Sequence, residues 1–66
     1  MPVSTRALHK RELSRAVDNL VWVYKHLERV VDTYEPLHPD IAGKARLLIM
    51  AVVELAEAIE RLNEEL

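Results

Sequence analysis

The sequence predicts an all-α fold, an antiparallel helical hairpin that dimerises into a four-helix bundle. Three observations predict it. Two apolar stripes repeat at heptad spacing, one proline-marked break separates them, and the stripes match in length and phase.

The first helix is expected at about 4–34. Pro2 followed by Ser4 or Thr5 offers a start, and no proline or glycine interrupts residues 6–35. Its seam is Leu13, Val17, Leu20, Tyr24, Leu27, Val31 and Tyr34, in alternating steps of four and three. The turn is expected at 35–39, because Pro36 and Pro39 cannot both lie inside one helix. The second helix is expected at about 40–65, with Asp40 as its N-cap. Gly43 falls in its first turns, at a cost of about 1 kcal/mol. Its seam reads Ile41, Ala45, Leu48, Val52, Leu55, Ile59, Leu62 and Leu66.

A short turn makes the helices antiparallel neighbours. Folding there sets Tyr34 near Ile41, Leu27 near Leu48, Tyr24 near Val52 and Val17 near Ile59. Charge agrees with that pairing. Arg6, Lys10, Arg11 and Arg15 open the chain, and Glu54, Glu57, Glu60, Glu64 and Glu65 close it. Antiparallel packing lays the basic start beside the acidic end.

With 66 residues the chain is one domain, 1–66, at the lower edge of independent folding. It has no cysteine, so neither disulfides nor thiolate metal sites are available to stabilise it, and a reducing compartment fits. Half of the residues (50%) are apolar and 30% are charged, a folded rather than disordered balance. The net charge of −2 gives no general drive toward nucleic acid. The densest apolar stretch, 47–56, contains Glu54 and is about half of what a bilayer span needs. At the start, Ala7-Leu8 runs directly into His9-Lys10-Arg11-Glu12, which is not a signal peptide. The expected setting is therefore soluble and intracellular, cytoplasmic or nuclear, without membrane contact.

One seam leaves further apolar residues over. The segment 47–53 is apolar around its whole circumference, and such a helix is buried all round. Leu47, Ile49, Met50, Val53 and Ala56, with Val23 and Val30 of the first helix, are the expected oligomer interface. The expected function is a small non-enzymatic protein–protein interaction module that self-associates through the second helix, as a homodimer. The alternatives are an obligate subunit or adaptor of a larger hetero-complex, or a nucleic-acid-binding regulator using Arg6, Lys10, Arg11 and Arg15. The pI near 5.9 and the adjacent acidic segment weigh against the last. Trp22 points away from the seam among polar neighbours. With His26 and Arg29 it is a candidate partner contact, and the plainer reading is that it packs in the subunit interface or lies over Arg15, Lys25 or Arg29 as a cation–π pair.

Chemistry is not expected. His9, His26 and His38 share no helical spacing, so no metal site is read. Glu54, Glu57, Glu60 and Glu64 resemble half of a bundle metal site, but the stretch of the first helix beside them offers only Glu12 and Asp18. They read as a solvated, salt-bridged face. No nucleophile arrangement or phosphate loop is present, and neither cofactor nor small-molecule substrate is expected.

Overall fold

The structure is a computed structural model that describes residues 4–66; Pro2 lies outside them. The first helix, α1, spans Thr5–Tyr34 and the second, α2, spans Pro39–Glu65. Ser4 caps α1: its backbone is extended and its Oγ accepts the Ala7 N–H at 3.1 Å, satisfying one of the free amides of the first turn.

At the other end of α1 the Glu35 N–H still donates to the Val31 carbonyl at 2.8 Å. Pro36 then has no N–H to offer. The Leu37 and His38 amides both return to the Tyr34 carbonyl, at 3.0 and 2.6 Å, and the chain reverses. A side-chain ion pair between Glu35 and Arg46 ties the turn to α2. The N-cap position of α2 is His38, not the expected Asp40. The helix begins earlier because Pro39 suits its first position, where the missing N–H has no partner to lose. Asp40 sits instead in the first turn, where its negative charge faces the positive end of the helix dipole.

The α1 seam lies where its spacing predicts. Val31 is buried, and Leu13, Val17, Leu20, Tyr24 and Leu27 are half-buried. Tyr34 is exposed beside the turn, its ring 6.2 Å from that of His38. The α2 seam differs from expectation. The side chains facing α1 are Ala42, Ala45, Ile49, Val52, Ala56, Ile59, Asn63 and Leu66, whereas Ile41, Leu48, Leu55 and Leu62 are exposed.

Both stripes share Ala45, Val52, Ile59 and Leu66, so the choice is between their other halves. Close approach decides it. The four-residue connection holds the helices together at the turn, and the buried cluster there is Val31 against Ala42 and Ala45, with Val30 and Ile49 packed on it. Ala42 is fully buried at a point where the bulk of Ile41 would hold the helices apart.

The Cα extents are 56 × 18 × 9 Å, which is two helices side by side in one layer. The radius of gyration is 15.8 Å, against about 11 Å for a compact chain of this length. One layer leaves two broad faces open to solvent, and a stable domain normally packs a second layer on the first.

Candidate interaction surface

The residues flanking the seam define the two faces. In an antiparallel pair, the positions just before the seam on both helices fall on one side, and the positions just after it fall on the other. The first set is Ala16, Val23 and Val30 of α1 with Ile41, Leu48, Leu55 and Leu62 of α2. All seven are apolar. The four α2 members are 38%, 56%, 51% and 47% exposed, although each is a large aliphatic side chain. Ala51 and Ala58 extend this face outward on α2. Its rim carries Lys44 near one end of α2 and Glu65 at the other, with Glu12, Asn19, His26 and Thr33 along α1.

The second set is Ser14, Val21 and Glu28 with Arg46, Val53 and Glu60, and it is broken by charge. In its middle Leu20, Val21, Tyr24, Val52, Val53 and Ala56 line an open hollow of about 170 Å³ together with Glu57 and Glu60. Toward the turn, Glu28, Asp32 and Arg46 line the surface. Toward the open end, Lys10, Arg11 and Arg15 share a groove with Glu60 and Glu64. The basic start and acidic end of the chain are thus neighbours. Yet among the described residues no ion pair crosses between them: Arg15 pairs with Glu12 of its own helix at 3.4 Å, and the remaining ion pair is Arg46 with Glu35.

The seven residues expected to form an interface do not share one surface. Ile49 and Ala56 are half-buried and turned toward α1. Met50 lines the charged face with Val53, Tyr24 and Glu57. Leu47 lies opposite the seam, and only Val23 and Val30 belong to the continuous apolar face. Sequence reasoning missed Ile41, Leu48, Leu55 and Leu62 as surface residues. Their seven-residue spacing is the signal, but it overlaps the stripe of α2 that packs on α1 and does not by itself separate the two.

Trp22 is exposed on the outer side of α1, and the Lys25 Nζ lies 4.8 Å from its ring centroid. His26 and Arg29 are exposed nearby. Arg6 is exposed, and Lys10, Arg11 and Arg15 are interleaved with carboxylates as described. Among the described residues no three His, Asp or Glu side chains converge in a way that could hold a metal ion, and no helix is long and apolar enough to cross a membrane. The chain matches no protein-family model, no curated protein and no solved structure.

Proposed function

We propose that this chain is a self-associating interaction module in which a second copy supplies the missing layer, giving a four-helix bundle. The observation that carries this is the apolar face of Ala16, Val23, Val30, Ile41, Leu48, Leu55 and Leu62, left open on a hairpin one helix thick.

The exposed area supports the reading. The hairpin exposes 5262 Å², whereas a compact monomer of 7.6 kDa exposes about 4,300 Å². The excess is of the same order as the ~800 Å² each partner buries in a standard interface. A homodimer is the commonest way to cover such a face. Catalysis has less support, because the carboxylates of α2 are exposed and spread over the charged and outer sides of the helix.

Sedimentation equilibrium at micromolar concentration tests the proposal. The expected result is a species of twice the chain mass whose helicity falls on dilution. A fully helical monomer across that range overturns it.

A further inference from the structure

We infer that the bundle is built about a two-fold axis across the helices, which pairs α2 antiparallel with α2 of the second copy and sends the two turns to opposite ends. This rests on the self-association reading and adds its geometry. Two hairpins stacked face to face have two two-fold arrangements. An axis along the helices sets α2 over the partner's α1 with both turns at one end. An axis across them sets α2 over α2 and α1 over α1, each pair antiparallel.

The rim charges separate these. Lys44 and Glu65 lie on the same stripe of α2 as Ala51 and Ala58, at opposite ends of the helix. Antiparallel α2 pairing brings Lys44 beside Glu65 of the second copy twice, by symmetry, and in that register Ala51 meets Ala58. Leu55 then meets its own counterpart near the axis, and Leu48 meets Leu62. The same axis passes close to Val23 of α1, so that Val23 meets Val23 and Ala16 meets Val30. Both helices are therefore self-complementary about one axis. With the axis along the helices, Glu65 falls beside Glu12 of the second copy instead, which is two like-charge contacts, and Lys44 faces the uncharged Thr33. Like charges in contact disfavour an arrangement.

Cysteine placement reads this geometry directly, because the chain has no cysteine of its own. Ala51 and Ala58 are exposed in the hairpin, so each tolerates replacement. Full-length Ala51→Cys and Ala58→Cys chains are mixed, exchanged and oxidised. The expected result is a disulfide between the two different chains and little within either preparation alone, since like positions then stand about 10 Å apart along the axis. Self-linking of both Ala51→Cys and Ala58→Cys marks α2 helices paired in parallel, because one antiparallel register cannot place both positions on the axis. Absence of any cross-link while the dimer persists marks α2 over α1. Either outcome overturns the inferred axis and leaves self-association standing. A monomer in every preparation overturns both.

Charge reversal is the second readout. Lys44→Glu or Glu65→Lys alone should raise the dimer dissociation constant by about tenfold, and the double exchange should restore it. Unchanged dissociation constants in both single variants contradict the pairing.

Discussion

Asn63 Nδ2 of α2 donates to Ser14 Oγ of α1 at 3.4 Å, a polar pairing in a seam of otherwise aliphatic and aromatic side chains. The other half of the amide is worse placed, because Asn63 Oδ1 is buried with no partner. A buried, unsatisfied acceptor costs about 1–3 kcal/mol. Asn63→Leu should therefore raise the unfolding free energy by about 1–2 kcal/mol, measured by urea denaturation at fixed protein concentration so that association does not confound the comparison. It should also weaken specificity, since a lone seam amide commonly fixes register. A drop in stability would show that the Nδ2–Ser14 hydrogen bond outweighs the cost of the unpaired Oδ1.

The same seam shows how far the sequence could be read. On α1 one heptad stripe is apolar and the positions around it are mixed, so periodicity alone identified the inner face. On α2 two stripes overlap. Ranking by bulk favours Ile41, Leu48, Leu55 and Leu62, while the close packing imposed by the short turn favours Ala42, Ile49 and Ala56. Hydrophobicity cannot tell a stripe buried within the chain from one buried between chains. The seven residues expected to form an interface spread over several sides of the hairpin for a related reason. Contiguous residues such as 47–53 point all round a helix, about 100° apart, so contiguity in sequence is not contiguity on a surface. The turn was legible because Pro36 and Pro39 act through covalent geometry and do not depend on packing.

Leu55 and Met50 should behave oppositely, although both are exposed in the hairpin. Leu55→Glu puts carboxylates into the centre of the proposed layer contact. It should abolish the dimer in sedimentation and reduce helicity by circular dichroism, because the hairpin loses its second layer. Met50→Glu lies on the charged side beside Glu54 and Glu57 and should leave both readouts within about 0.5 kcal/mol of the parent chain. Ile49→Glu should unfold the chain from within the seam. If Met50→Glu dissociates the bundle and Leu55→Glu does not, the interface lies on the opposite face.

Gly43 is a different kind of weak point. It lies inside α2 with a negative φ, and a Cβ added there meets no atom within 4 Å. Nothing in the packing requires glycine, so its backbone entropy is a cost without return in the folded state. Gly43→Ala should stabilise the chain by about 0.5–1 kcal/mol, read as a higher urea midpoint with an unchanged slope. A loss of stability would mean that something absent from the lone hairpin approaches the backbone at this position.

Trp22 supplies an intrinsic probe of which surface is covered. It is 57% exposed on the outer side of α1, away from both the seam and the continuous apolar face. Its neighbour Lys25 lies over the ring at 4.8 Å, a contact worth about 0.5–1 kcal/mol at an exposed site. Trp22→Ala should therefore cost no more than about 1 kcal/mol in stability and leave the dimer dissociation constant unchanged. The indole emission should be that of a water-exposed ring at every protein concentration, with equal quenching by acrylamide above and below the dissociation constant. Lys25→Met should remove most of the cation–π contribution while preserving the aliphatic cover of the ring. Emission that shifts to the blue as the bundle forms would place Trp22 inside the contact, and the face carrying Leu48 and Leu55 would then lie outside it.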